Sequence, residues 1–399
     1  MNKIQLYFFR ILVLLIGIYL GFEYYFRLRS IDESESIIVY QLLKSIIIIF
    51  FFTYTLLNIS TKNSSIFKWT IIWSIYIYIT SVFHTNQIWN VFAYVYQVLF
   101  WPLSILFFYI FFKKSNEMLL NNLIALFCTL LLIFSFFFFR EYNYVNQYLT
   151  NTMLQLNISY FTLLILPWCF FISNKMLKIF SQIIILAVVA FSLKRTAIIS
   201  YFFALLGGYG LKIIMKKGAK KFQYFLIYLV ILILILGIFV KINDFNEEWI
   251  YKRFLNITDD RGSYRLEIYK TVIGLLQASS LVDLIFGHGH NEVKNEMFDG
   301  LSAHNDWLEC TYDYGIIGLI IYILLHLIIL RRAIYLYKIK SNLAVPLLSS
   351  YLIFFTMSMF SHLIMYPYVF IIMTILWGTV FGMSEKSFSS DTKSTVIKW

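Results

Sequence analysis

Arg261-Gly262-Ser263-Tyr264-Arg265-Leu266-Glu267, Gly287-His288-Gly289-His290 and His304-Asn305-Asp306 all lie in one polar island, residues 241–306. The island holds 11 of the 21 acidic residues and three of the six histidines. On both sides lie apolar segments long enough to cross a bilayer. A chain that gathers so much ionisable chemistry into one loop between such segments is expected to work there, at one face of a membrane.

The composition agrees. Of the 399 residues, 60% are hydrophobic and 14% charged, whereas a soluble domain carries about 25% charged residues. Aromatic residues make up 20% of the chain, which suits rings placed at headgroup level. The net charge of +12 sits in short clusters between apolar runs, not on one continuous patch, so nucleic acid is not an expected partner. Cys128 and Cys169 lie inside apolar runs and no CxxC motif occurs, so the redox compartment is not revealed. The run Leu6–Phe26 is followed by no small-residue cleavage site and reads as a retained span.

A ruler of about 20 apolar residues per helix gives roughly twelve candidate spans, near 6–26, 37–57, 67–83, 88–112, 119–139, 158–173, 177–193, 196–215, 222–240, 307–330, 344–361 and 366–383. The expected fold is an all-α integral membrane protein, one polytopic domain over residues 1–399 with a large extracytoplasmic loop at 241–306. Pro102 is expected to kink the fourth span, and Pro167 interrupts the sixth. With the N-terminus inside, the cytoplasmic segments carry 19 Lys and Arg and the short outer loops 5. That bias puts both termini in the cytoplasm and the island outside. On this topology His84, His288, His290, His304 and His362 gather at or beyond the outer face, and His326 alone falls within a span.

Several residues are candidates for chemistry. Lys194-Arg195 stands between the seventh and eighth spans, at an outer position that the charge rule disfavours. Arg195 there either meets an anionic group with its fixed fork or snorkels to headgroups beside Lys194. Residues 263–280 read as an amphipathic helix capped by Ser263, with Ile268, Val272, Leu275 and Leu276 on one stripe. Arg265 near its start either points back to the bundle or is solvated, and Arg261 lies just before it. The His288-x-His290 pair has no third ligand at a characteristic spacing, so no metal site is expected. His304 stands at the N-terminal end of the tenth span. It is either a general base for a hydroxyl or a histidine at a wet helix end. Glu309 and Asp313, one turn apart, share a face that could orient a substrate or the histidine.

Taken in order, these pieces resemble the O-antigen polymerase and ligase superfamily of bacterial surface-polysaccharide assembly. The resemblance runs through Phe191-Ser192-Leu193-Lys194-Arg195-Thr196-Ala197, Gly262-Ser263-Tyr264-Arg265, Ile285-Phe286-Gly287-His288-Gly289, Ala303-His304-Asn305-Asp306-Trp307-Leu308-Glu309 and Gly315-Ile316-Ile317-Gly318, and covers about residues 190–320. Lys194 stands where the family often has serine. The resemblance implies a helical bundle of the lipid-sugar glycosyltransferase kind in the bacterial inner membrane, with its active site on the outer face. It implies that Arg195 and Arg265 bind the diphosphate of an undecaprenyl-linked oligosaccharide and that His304 assists the attacking hydroxyl. Lys194, Arg261, Asn305 and Glu309 are the accompanying substrate-binding candidates. No cofactor or metal is implied, and a chain-length regulator is the expected protein partner.

The leading expectation is therefore a polymerase that joins lipid-linked repeat units. A ligase, which moves finished glycan to lipid A–core, shares the donor chemistry. A flippase of the same lipid-linked sugars is a rival of another class. It should place charges at the bilayer midplane between paired halves, whereas here they gather at one boundary and the halves look unlike.

Overall fold

The computed structural model describes residues 3–29, 33–58, 64–84, 88–114, 119–148, 158–192, 194–215, 265–297, 300–364 and 367–391. The apolar run 222–240, Arg261 and the cap Ser263 lie outside them. In chain order the helices are α1 (Lys3–Arg29), α2 (Glu33–Leu57), α3 (Ser65–His84), α4 (Ile88–Lys114), α5 (Leu120–Tyr148), α6 (Ser159–Leu163), α7 (Leu166–Cys169), α8 (Lys175–Phe191), α9 (Arg195–Met215), α10 (Arg265–Ala278), α11 (Leu281–Phe286), α12 (Glu292–Glu296), α13 (Asp306–Lys338), α14 (Ala344–Phe360) and α15 (Pro367–Asp391). No strand occurs among the described residues. Seven of these helices are long and apolar enough to cross a membrane, so the chain is an all-α integral membrane protein.

Two candidate spans differ in detail from the periodicity. The sixth, 158–173, is two short helices, α6 and α7. Pro167 falls in the first turn of α7, where its missing N–H leaves no bond unmade. The tenth is not one rod. Gly315 has φ 65° and ψ −173° and breaks α13 between Tyr314 and Ile316. The short arm Asp306–Tyr314 folds back, so that Trp307 meets Tyr322 and His326 of the long arm at ring-centroid distances of 5.2 and 4.7 Å.

The chain divides into two compact units. The first comprises Met1–Ile72, Gln97–Ser192 and Pro367–Trp399. Lipid tails are as apolar as leucine, so helices in a membrane associate through close packing and hydrogen bonds. Tyr24 of α1 stacks on Phe134 of α5 at 4.2 Å and donates its hydroxyl to the Phe134 carbonyl at 2.6 Å. Gly378 and Gly382 of α15 lie against the carbonyls of Ile105 and Tyr109 of α4, where any side chain would collide with backbone. Ser104 and Thr374 share a buried hydrogen bond of 2.6 Å on the same seam. At its end Tyr109 donates to Glu385 (2.5 Å), and Lys113 Nζ lies 3.1 Å from the same carboxylate.

The second unit comprises Trp73–Tyr96 and Leu193–Tyr366. Here α9 lies along α14, with Gly207 against Leu352 and a buried 2.6 Å bond between Ser200 and Thr356. The apolar stripe of α10 buries Ile268 and Val272 on Val293, Ala303 and Tyr312, with Leu275 and Leu276 packed alongside. A backbone corner fixes the rest. Gly287 (φ 87°) and Gly315 (φ 65°) face each other so closely that a Cβ on either would strike the other strand's main chain. Tyr76 of α3 spans the corner, its hydroxyl 2.6 Å from the Tyr314 carbonyl and 3.1 Å from that of Phe286.

Candidate functional site

The His304 backbone is left-handed, with φ 51°, a conformation that costs a non-glycine residue energy and must be held from outside. Its neighbours supply that hold. Asn305 caps the short arm of α13, its Oδ1 accepting from Trp307 N (2.9 Å) and Leu308 N (3.2 Å), while its Nδ2 donates to the Met359 carbonyl at 3.2 Å. The Tyr269 hydroxyl of α10 lies 3.4 Å from the His304 carbonyl. The Glu309 carboxylate, 1% exposed, accepts from the Ala303 N–H.

The charges of two cations act on His304. Arg265, the first residue of α10, extends Nη1 to 3.5 Å from Thr196 Oγ1 at the head of α9. Arg195 and Lys194 occupy that same helix start. The imidazole of His304 is held down at about 4, first by burial and then by the Arg265 and Lys194 charges. Thus Arg265, Lys194 and His304 share one electrostatic environment, with Arg195 beside Thr196. All are contributed by the second unit.

A fourth residue belongs to this group and was not singled out by the sequence. His362, in the link after α14, stacks on His304 with ring centroids 4.8 Å apart and planes 26° apart. Its Nδ1 is 2.9 Å from Ser302 Oγ. Burial, then the charges of His304, Arg265, Lys194 and Lys294, keep it well below the usual imidazole range. Nothing in the spacing links residue 362 to residue 304. The one sequence signal is that both sit on the histidine-rich side of the predicted topology.

The remaining polar residues hold backbone. Asp313 accepts from Asn291 N (2.9 Å) and Val293 N (3.0 Å), fixing the Gly287–His290 turn. Asp306 accepts from Leu363 N (3.0 Å) and the Tyr322 hydroxyl (3.1 Å). His288 lies flat on Tyr312, Nδ1 3.1 Å from the Tyr312 carbonyl and Nε2 3.1 Å from Ser279 Oγ. His290 Nδ1 is 2.5 Å from the Tyr314 hydroxyl, and burial lowers this imidazole to about 4. Among the described residues no three His, Cys, Asp or Glu side chains cluster as a metal site.

Fold and site define a polytopic helical membrane protein with cations and neutral imidazoles assembled at one set of helix ends, an arrangement suited to an anionic ligand and proton transfer. A comparison with protein families adds a likeness over part of the chain: residues 180–323 match the family model described as O-antigen ligase. That stretch contains Lys194, Arg195, Arg265, His304, Asn305 and Glu309, so the resemblance to the O-antigen polymerase and ligase superfamily holds over the residues that carry it. The family is one of bacterial membrane-bound, glycosyltransferase-like enzymes. A search of curated proteins gives no match.

Proposed function

We propose that the protein is a surface-polysaccharide polymerase of the bacterial inner membrane, transferring a growing undecaprenyl-diphosphate-linked glycan onto a new lipid-linked repeat unit. The observation that carries this reading is that Arg265 reaches the start of α9 beside Lys194 and Arg195, and that the Arg265 and Lys194 charges both act on His304. Transfer breaks the anomeric C–O bond to the lipid diphosphate and forms a glycosidic bond to an acceptor hydroxyl. The departing diphosphate gains negative charge, and guanidinium groups of Arg195 and Arg265 supply fixed donors for it without a metal. His304 takes the hydroxyl proton.

The low basicity of His304 beside two cations fits this order of events. Its two cationic neighbours suppress protonation, and a bound diphosphate offsets both charges. The imidazole therefore becomes an effective base once the donor is seated. Asn305 and Glu309, named beside the arginines as substrate contacts, act in this reading through the backbone they hold. Lys194 joins the diphosphate contacts. Arg261 lies outside the described residues.

The description of the matching family as a ligase favours a second reading, transfer of finished glycan to lipid A–core. Purified protein in liposomes, given only a lipid-linked repeat unit, separates the two. A ladder of longer lipid-linked products is expected. Product only after addition of lipid A–core would establish the ligase instead.

A further inference from the structure

We propose that His362 is a positioning residue for His304: its ring, locked by Ser302, is the flat wall that orients the His304 imidazole toward the acceptor hydroxyl. This inference rests on the reading of His304 as the general base.

A general base needs a fixed ring plane, and in hydrolytic triads a carboxylate bound to the far nitrogen supplies it. Among the described residues no hydrogen bond fixes the His304 ring, and the nearby carboxylates are engaged elsewhere. Asp306 holds Leu363 N and Tyr322, Asp313 holds Asn291 N and Val293 N, and Glu309 holds Ala303 N. What meets the His304 ring is the face of His362 at 4.8 Å. The His362 plane is in turn set by its Nδ1 contact with Ser302 Oγ at 2.9 Å. Ser302 and His304 flank Ala303, and the N–H of Leu363 is pinned by Asp306, so both ends of the stack are tied to the same short segment.

The chemistry explains why an imidazole suits this place better than a carboxylate. An anion behind His304 would favour its protonated form and attract Arg265 and Lys194 away from the donor. A neutral ring orients by contact and leaves both His304 nitrogens available. The charged groups facing the pair are Arg265 from α10 and Lys194 at the head of α9, with Lys294 of α12 also acting on His362. Burial and these cations keep the second ring uncharged as well; the acid beside it, Asp306, is held by Leu363 N and the Tyr322 hydroxyl.

Four variants test this in membrane vesicles from the native host, with its own lipid-linked repeat unit as substrate and rates normalised to folded protein. His304→Ala tests the parent reading and is expected to abolish chain lengthening. His362→Ala should lower kcat by roughly tenfold to a hundredfold, the cost of a misplaced catalytic group, and leave the donor KM within about threefold. His362→Phe, which keeps a flat ring, should recover most of that loss, and Ser302→Ala should fall between. Opening the stack also admits water to His304, which raises its proton affinity. The acid limb of the His362→Ala rate profile should therefore move to higher pH, by roughly half a unit or more. A defect of folding alone would lower the amount of active protein and leave that limb in place. Native rates in both His362 variants, or equal losses in Ala and Phe with an unmoved acid limb, overturn the positioning role. Activity in His304→Ala would instead overturn the parent reading.

Discussion

At the scale of single residues, the site opposes two demands on one imidazole. In the proposed transfer His304 has to stay neutral to accept a proton, and burial with the nearby Arg265 and Lys194 charges lowers it to about 4. It also has to be basic enough to matter, which in the proposed mechanism a bound diphosphate would supply. The pH dependence should show both states. The acid limb of kcat/KM, which reports the free enzyme, is set by the lowered His304 value. The limb of kcat reports the donor complex, where the bound anion raises His304, so activity should be lost at a higher pH on falling through that limb. Coincident limbs in steady-state measurements would show that the donor does not tune the base. Arg265→Lys keeps the charge but loses the guanidinium fork that reaches Thr196 and, in the proposed mechanism, would also hold the donor diphosphate. Loss of one preorganised donor of this kind costs about 2.7–4 kcal/mol, so we expect kcat to fall by about a hundredfold or more. Near-normal polymer length in cells carrying that variant would remove the phosphate role.

At the scale of elements, the turn after α11 and the break in α13 form one joint. Asp313 holds two backbone N–H groups of the turn. Asp313→Asn presents a mixed donor and acceptor to these donors, and the unmade bond should cost about 1–3 kcal/mol, read as a lower midpoint in thermal unfolding in detergent. Gly287→Ala or Gly315→Ala should cost more, because the new methyl meets main chain and the φ is left-handed. Neither change has a side chain across from it that a second mutation could shrink, so a suppressor screen should recover only true revertants. The joint also shows what the sequence made legible. Gly287, Asp313 and Gly315 stood out by type and order, and α10 was readable from Ile268, Val272, Leu275 and Leu276. The backbone-to-backbone approach was not readable, because hydrophobic periodicity runs straight through Gly315 and hides the fold-back of Trp307 onto His326. His362 was hidden for a related reason. Its partner lies 58 residues earlier, and a ring stack across that distance leaves no periodic trace.

At the scale of the whole molecule, the apolar runs and the scatter of lysine and arginine predicted a membrane-spanning helical protein with both termini on the cytoplasmic side. A reporter active only in the cytoplasm, fused after Trp399, should be active, and a periplasm-dependent one silent. The reverse result would put the site on the other leaflet and end the case for a lipid-linked donor presented from outside. The unit that holds the candidate site is assembled from two separate stretches, Trp73–Tyr96 and Leu193–Tyr366. The strut Tyr76 therefore enters from far upstream of the region that matches the family, residues 180–323. A fragment trimmed to that region would lack the phenol that braces the glycine corner, so we expect it not to fold as an autonomous piece. Activity in a dissected protein would have to be restored by co-expressing the upstream half as a separate polypeptide.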